Sequence, residues 1–264
     1  MAAADRPTDT APAALRVLTY NIHKGFSGFD GRFVLHAIRE ALRGVGPDLV
    51  FLQEIHGEHA GHRRRLRDWP EESQFEFLAD RLWPHYAYGK NAIYQAGHHG
   101  NAILSRYPFR AWENFNLSAL RHASRSVLHG VVGTPGGVLH VMCVHLDVLG
   151  PERRRQLGVL AELISTRIGP DEPLIVAGDF NDWRGRGHRL LTHELGLREA
   201  FGERQGRCAR TFPAWLPLLR LDRIYYRGLE AIDSRRLDER HWRRLSDHAP
   251  LLATFVPQAA APGR

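Results

Sequence analysis

Cysteine is scarce in this chain, and the scarcity limits the kinds of protein it can be. Only Cys143 and Cys208 occur among 264 residues, too few for the disulfide framework of a small secreted domain. Cys143 lies in the apolar run 141–144 and is most simply a small core residue. The cysteine and histidine spacing of a structural zinc site is also missing. We therefore expect a protein of the reducing cytoplasm.

Long apolar runs are missing too. No stretch reaches the roughly 18 apolar residues of a membrane-spanning helix, and residues 1–14 lack the basic start and apolar centre of a secretory signal. We predict a disordered lead over residues 1–14, one α/β domain over 15–257 and a disordered tail over 258–264. We expect a monomer without a transmembrane segment. A glycine-rich phosphate loop with its lysine is absent as well.

Acidic residues are outnumbered by basic ones. The net charge is +7 and the pI is about 9.9, which favours anionic partners such as nucleic acid, an anionic membrane surface or a small phosphorylated substrate. The charge does not choose among these partners, since an arginine-rich composition can also reflect the genome.

The chain does contain short apolar runs that end in polar residues. Runs over residues 15–20, 49–52, 138–144 and 174–177 are typical of buried strands. Asn21 follows the first run, Gln53 and Glu54 follow the second, and His145 follows the third. Asp179 and Asn181 follow the fourth. Gly178 allows a tight turn before Asp179. Alone, this last stretch is equally typical of a solvated turn and of a site for a hard cation or a phosphate-bound water.

Other apolar runs begin with polar residues. Asp222 precedes the run 224–226, Asp247 and His248 precede the run 250–256, and Arg125 precedes the run 127–132. If all these groups meet at one edge, the last two strands run opposite to the four runs above. The sequence therefore predicts mixed sheets.

Helices are predicted over residues 33–42, 75–82, 151–168 and, weakly, 187–195. In the third helix Arg153 lies near the apolar stripe, where it could reach a site beside His145. The arginine-rich segment 61–67 is predicted to be a solvated loop. The segment 211–219 is broken by two prolines and is predicted to be a loop, which either packs on the domain or exposes an apolar surface to a substrate or membrane.

The collected polar residues suit the hydrolysis of a phosphodiester. Turn preference explains a single aspartate or asparagine, but not a glutamate and two histidines at matching strand ends. The reaction needs carboxylates that hold Mg²⁺, basic groups that hold the phosphate and a base that activates water. Hard oxygen ligands indicate Mg²⁺, with Mn²⁺ as a substitute. The set comprises Asn21, Glu54, Arg125, His145, Asp179, Asn181, Asp222, Asp247 and His248.

Seven short motifs in a fixed order resemble the endonuclease/exonuclease/phosphatase superfamily, which includes DNase I. They are T-Y-N-I-H-K-G from Thr19, Q-E from Gln53, G-N-A-I-L-S-R from Gly100, V-H-L from Val144, G-D-F-N from Gly178, L-D-R-I from Leu221 and S-D-H-A-P from Ser246. The small cytosolic bacterial members are most similar. The resemblance implies a four-layer α/β sandwich, with two mixed β-sheets packed face to face and helices outside.

The resemblance also implies roles for individual residues. Glu54 resembles the main Mg²⁺ ligand, with Asn21 and Asp247 beside it. His248 resembles the base that activates water, oriented by Asp222 in a way that favours the charged ring. Asp179 and Asn181 would position the water and a phosphate oxygen. Two basic residues, His145 and Arg125, would hold the phosphate, and His145 is our candidate for protonating the leaving oxygen. We expect Arg125, Asn101 and Arg153 to bind the substrate.

The substrate is less well determined than the reaction. AP endonucleases carry tyrosine where this chain has His145, which disfavours an abasic-site enzyme. We expect nucleic acid, because of the charge, the arginine runs and Trp242, which could stack on a base. The alternative is a phospholipid head group or another small phosphodiester or phosphate ester, as in the sphingomyelinases, which the apolar segment 211–219 favours. A non-catalytic binding module is the remote third hypothesis.

Overall fold

A computed structural model describes residues 14–94, 97–118 and 125–258. Apart from Ala14 and Gln258, the predicted lead over residues 1–14 and tail over 258–264 lie outside the described residues. None of the described helices is both long and apolar enough to cross a membrane.

The described residues form two six-stranded sheets. In chain order the strands are β1 (Leu15–Asn21), β2 (Leu49–His59), β3 (His85–Tyr94), β4 (Gly97–Ser105), β5 (Phe109–Asn116), β6 (Ser126–Thr134), β7 (Gly137–His145), β8 (Leu174–Asp179), β9 (Arg198–Glu199), β10 (Asp222–Arg227), β11 (Leu229–Arg236) and β12 (Leu251–Pro257). One sheet has the order β11-β12-β1-β2-β4-β3, and the other has the order β5-β6-β7-β8-β10-β9.

Strand direction in each sheet brings the polar ends together. β1 is parallel to β2, and β7 is parallel to β8. In contrast, β12 is antiparallel to β1, and β10 is antiparallel to β8. The carboxyl ends of the parallel pairs therefore lie at the same edge as the amino ends of β10 and β12. This confirms the prediction of mixed sheets.

Three layers of apolar side chains hold the sandwich together. Between the sheets, Val17 and Phe51 meet Cys143 and Ala177, so the alternation of each strand places one face in this central core. The opposite face of the first sheet packs against helices α1 (Leu35–Val45) and α3 (Gln74–Ala79).

The second sheet is covered by the longest helix. Leu157, Leu160 and Ile164 of α4 (Gly150–Arg167) pack on the outer side of β7 and β8. The remaining helical elements of the described residues are three short helices, α2 (Ala60–Arg65), α5 (Arg186–Arg189) and α6 (Ala200–Gln205), a π-turn (Leu190–Glu194) and two 3₁₀ turns (His23–Gly25 and Trp242–Arg244). The predicted four-layer α/β sandwich is confirmed.

Several elements differ from the sequence prediction. β3, β5, β9 and β11 were not predicted, because their side chains do not form a clear apolar run; β5, for example, is largely exposed. The predicted loop 61–67 is wrong in its first part, which forms α2, although Arg63, Arg64 and Arg65 do face solvent. β2 continues to His59 and does not end at Glu54.

Candidate active site

A bulge in β2 places Glu54 at the edge of the sandwich. The pairing of β2 with β4 shifts register between Leu52 and Ile55, and Glu54 adopts the left-handed conformation with φ 57°. Bulges of this kind redirect a side chain without ending the strand. Asn181, after β8, also has a positive φ, of 49°. Such strained backbone is concentrated at functional sites.

Asp222, His248 and Asp179 form a buried chain of charged groups that connects β10, the segment before β12 and the end of β8. His248 Nδ1 lies 2.8 Å from Asp222 Oδ2, and its Nε2 lies 3.8 Å from Asp179 Oδ2. Ligand atoms of all three residues lie within 4.8 Å of one another. Because Asp222 already holds one ring nitrogen of His248, we interpret this group as a site for a proton, not as a metal cage.

The electrostatics of this chain follow from its burial. Burial alone would lower the pKa of His248, but the Asp222 and Asp179 carboxylates outweigh it and raise the pKa to about 10. Burial raises the pKa of Asp179 to about 6, since the His248 charge offsets only part of the penalty and Asp222 adds to it. Both carboxylates therefore favour the protonated form of His248 at neutral pH.

His145 is kept neutral beside this chain. Burial, together with the adjacent Arg125 guanidinium, holds the pKa of His145 well below its ordinary value. Arg125 Nη1 donates to His145 Nδ1 over 3.1 Å, so the ring proton is on Nε2, which lies 3.5 Å from Asp179 Oδ2. A neutral imidazole in this tautomer can donate a hydrogen bond to a phosphate oxygen, but it is a poor proton donor to a leaving group.

Two asparagines fix the orientation of Asp179, one through its side chain and one through its backbone. Asn21 Nδ2 donates to Asp179 Oδ2 over 3.2 Å, and the Asn181 backbone N–H donates to Oδ1 over 2.9 Å. Asn181 Nδ2 donates to the carbonyl of Leu146 over 2.9 Å, which connects the ends of β7 and β8. The geometry therefore brings Asn21, Asp179 and Asn181 together.

Glu54 is the carboxylate best placed to hold a cation. Its Oε2 accepts a hydrogen bond of 2.7 Å from Lys24 Nζ. Burial raises the pKa of Glu54. The electrostatic effect of His145 and of Lys24 outweighs burial and lowers this pKa far below its ordinary value. Since His145 is neutral, the Lys24 ammonium supplies most of the positive charge. A carboxylate that stays ionised against a cation, on the strand next to Asn21, has the chemistry that Mg²⁺ requires.

Asp247 is fixed by close packing and by its neighbours. A Cβ added to Gly28 would lie 2.5 Å from Asp247 Cβ, so only glycine fits there. Asp247 O accepts a hydrogen bond of 2.7 Å from Ala214 N. Ser246 Oγ donates to Asn21 O over 2.7 Å, which joins the segment before β12 to the end of β1. This Asp247 side chain is half-buried beside the site.

Two predicted substrate-binding residues have other partners in the structure. Arg153 Nη1 donates to the carbonyls of Asp147 and Val148, and its guanidinium lies 4.8 Å from the Trp183 ring. Asn101 Nδ2 donates to Ser126 O over 3.1 Å, between the two sheets, while its Oδ1 is buried and has no hydrogen-bond partner among the described residues. Arg153 therefore lies beside the loop after β8, and Asn101 joins the sheets.

Sequence reasoning overlooked several residues that shape the site. Lys24 was visible in the N-I-H-K-G motif but received no role. Thr211 Oγ1 accepts from Asp222 N over 3.3 Å, and the Phe212 ring lies 5.1 Å from the His248 ring. Both belong to the predicted loop 211–219. The apolar residues of this loop did not indicate that it supports Asp222 and His248.

Comparison with known proteins identifies the family. The family model described as endonuclease/exonuclease/phosphatase family matches residues 18–248, a span that includes every residue of the site. The chain belongs to this family. It is 48% identical over 249 residues to the protein YbhP of Escherichia coli K12, covering 94% of this chain and 98% of YbhP.

Solved structures of the family have the same fold. A family protein from Beutenbergia cavernae superposes with a TM-score of 0.77 at 22% identity, covering 94% of this chain and 72% of that one. The human nocturnin catalytic domain with bound sulfate gives 0.70 at 20% identity, covering 94% of each chain. D. rerio TDP2 in complex with a single-strand DNA product gives 0.67 at 21% identity, covering 92% and 99%. At these identities the likeness concerns the fold.

Proposed function

We propose that this protein is a Mg²⁺-dependent phosphodiesterase, in which Mn²⁺ can replace Mg²⁺. The observation that carries the proposal is the buried chain Asp222, His248, Asp179, which faces His145 across 3.5 Å and lies at the same edge as Glu54. Family members are generally hydrolases of phosphoric esters, and every motif position of the resemblance is filled here. A non-catalytic binding module would have no need of this costly set of buried charges.

The metal would be held by Glu54, with Asn21 and Asp247 completing the oxygen ligands. When bound, Mg²⁺ would offset the negative charge of the phosphate and of the leaving oxygen. Lys24, which now contacts Glu54 Oε2 at 2.7 Å, shows that a positive charge fits against this carboxylate.

The protein's own residues would activate water between His248 and Asp179. A water there gives up its proton as its oxygen bonds to phosphorus. The leaving oxygen departs with the electron pair of its bond to phosphorus and takes up a proton from solvent. Because His248 already carries a proton, we propose that the Asp179 carboxylate, with a pKa of about 6, accepts the proton within this pair. A base with a pKa near the operating pH is effective in proton transfer.

His145 and Arg125 would hold the phosphate. The His145 Nε2–H is directed toward the Asp179 side of the site, and Arg125 adds a positive charge behind the ring. Since His145 is neutral, we propose that it donates a hydrogen bond to the phosphate and does not protonate the leaving oxygen. Removing a contact of this kind typically costs about 3 to 4 kcal/mol in the transition state.

A soluble generic diester tests the reaction class. Hydrolysis of bis(p-nitrophenyl) phosphate should require Mg²⁺ or Mn²⁺ and should stop on addition of EDTA. His248→Gln and Asp179→Asn should remove turnover while the far-ultraviolet circular dichroism is unchanged. His129→Gln is the matched control, because His129 pairs with His140 in the middle of the second sheet. Full turnover in either site variant would overturn the proposal.

The substrate class is where the structure departs from our first expectation. Trp242, expected to stack on a base, is only 2% exposed and packs edge-on against Tyr20, so it cannot take that role. The arginines of the segment 61–67 remain exposed and still favour a nucleic acid through charge alone. Exposed apolar side chains in the loop 211–219 favour the phospholipid alternative.

A further inference from the structure

Exposed apolar side chains are concentrated at the catalytic edge of the sandwich. Twelve large apolar side chains are exposed among the described residues. Eight of these belong to the connections that leave or enter the strands at this edge: Phe29, Val148, Leu149, Trp183, Trp215, Leu216, Leu218 and Leu219. We call these eight residues the apolar rim. Scattered single apolar residues are normal on a protein surface, but a group around one site indicates a binding surface.

The loop 211–219 holds part of the apolar rim in a fixed position. Ala214 is fully buried, and its N–H donates to Asp247 O over 2.7 Å. Phe212 packs on the ring of His248, and the backbones of Phe212 and Leu219 are paired. Between these anchors Trp215 is 56% exposed and Leu218 is 55% exposed. The loop therefore presents apolar side chains to solvent directly beside the catalytic histidine.

A second part of the apolar rim combines apolar and cationic groups. Val148, Leu149 and Trp183 line a groove of about 280 Å³ together with Arg153, Arg154, Arg184 and Arg186. Its one carboxylate, Asp182, accepts hydrogen bonds from the backbone N–H groups of Gly187 and His188. The charge that faces outward from this groove is thus positive, next to exposed tryptophan and leucine.

This combination distinguishes a membrane surface from a nucleic acid. A nucleic acid would use the arginines and the flat tryptophan rings, but gains little from Leu149, Leu216 and Leu218. Tryptophan at an interface and leucine below it, flanked by arginine, is the pattern of proteins that dock on anionic bilayers. A phosphodiester in a lipid head group would then lie at the level of His248 and Glu54.

We infer that the catalytic edge docks on anionic membranes through the apolar rim, and that the substrate is a phospholipid diester taken from the bilayer surface. The choice of substrate rests on the proposed function. The docking itself does not, because it needs no turnover, and the two can be tested separately.

Docking is measured by co-sedimentation of the full chain with vesicles in the presence of EDTA. Vesicles of phosphatidylcholine with an equal part of phosphatidylglycerol are compared with vesicles of phosphatidylcholine alone. Wild type and the Glu54→Gln variant should bind the anionic vesicles equally, and the pure phosphatidylcholine vesicles more weakly. The double variant Trp215→Ser, Leu218→Ser should bind the anionic vesicles at least about tenfold more weakly.

Controls remove the same kinds of side chain elsewhere. Trp112 lies on β5 and Ile232 on β11, away from the catalytic edge, and both are exposed. The double variant Trp112→Ser, Ile232→Ser should bind the anionic vesicles like wild type. Vesicles containing brominated lipid should quench tryptophan fluorescence of wild type, and a Trp215→Phe, Trp183→Phe variant should lose most of this quenching.

Four results would overturn the docking inference. The first two are the absence of binding to anionic vesicles and equal binding by the rim and control variants. The third is that wild type is a dimer and the rim variant is not. The fourth is binding of single-stranded DNA that depends on the apolar rim, without any binding to vesicles. Rim-dependent docking by a protein that hydrolyses no diester, soluble or in vesicles, would retain the docking surface and reject the proposed function. Hydrolysis of the soluble diester without docking would retain the proposed function and reject the docking surface.

Discussion

The proton on His248 can be tested by replacing Asp222 with asparagine. Two carboxylates hold this proton: Asp222, at 2.8 Å from Nδ1, and Asp179, at 3.8 Å from Nε2. Asp222→Asn keeps the size of the side chain and a possible hydrogen bond, but removes the closer charge. Burial lowers the pKa of His248, and in this variant the Asp179 carboxylate is the nearby charge that still opposes this effect. We expect the pKa of His248 to fall from about 10 by at least about two units, equivalent to roughly 3 kcal/mol.

The same change should alter the dependence of stability on pH. A histidine whose pKa is raised in the folded state stabilises the protein fully below its unfolded pKa of about 6.5. This stabilisation is lost as the pH rises from there toward about 10, the folded value. Wild type should therefore lose unfolding free energy between these limits in EDTA, and Asp222→Asn should lose much less.

The assay is a pH titration of the histidine ring signals by NMR, with His248→Gln to assign the resonance, combined with urea unfolding at several pH values. Glu199→Gln is the control, since Glu199 is a buried carboxylate on β9 whose Oε2 accepts a hydrogen bond from Gly202 N. A shift below half a unit in Asp222→Asn, or an equal shift in the control, would refute the assignment of Asp222 as the main partner of His248.

Three further predictions concern other parts of the site. Asp179→Asn should raise the unfolding free energy at pH 8 by about 1 to 2 kcal/mol, because burial raises the pKa of Asp179 and so disfavours its charged form. This gain should vanish below about pH 4, where the carboxyl is protonated in both the folded and the unfolded state. Urea unfolding at both pH values would measure it. Glu54→Gln should lower Mg²⁺-dependent turnover by at least about a hundredfold, and an unchanged Mg²⁺ titration of the rate would contradict our ligand assignment. Gly178→Ala should lower the free energy of unfolding by more than about 3 kcal/mol, since φ is 147° and an added Cβ would lie 1.9 Å from Val144 O. Thermal unfolding measures this loss. Gly158→Ala is the control, because nothing lies near a Cβ added there.

The sequence was informative where a local pattern and a global requirement agreed. Runs of β-branched residues that end in polar groups predicted both the strands and the edge at which they meet, and the reversed pattern at Asp222 and His248 predicted strand direction. These signals are strong because a buried strand must be apolar, whereas its exposed end is free to carry chemistry. The order of the motifs then predicted the four-layer sandwich.

Other features depend on contacts between distant segments and leave no local trace. The bulge that turns Glu54 is set by the pairing of β2 with β4, so the sequence predicted a strand end there. The stripe position of Arg153 on α4 was read correctly as buried, but its partners on the loops after β7 and β8 could not be inferred from helical spacing. Trp242 lies in a charged, arginine-rich segment and is nevertheless buried, because it fills the space beside Tyr20.

The polar edge is energetically costly, and the fold explains how it is maintained. Asp179, Asp222 and His248 are almost completely buried, which opposes their charged forms. Asn21 Nδ2 and the Asn181 backbone N–H donate hydrogen bonds to Asp179, and the Asp222 backbone N–H donates to Thr211 Oγ1. Gly28 packs closely on Asp247, next to His248 in the chain. The site is therefore rigid before any ligand arrives. The apolar rim is exposed to solvent beside this rigid site, which is why we look for the substrate's wider surroundings there.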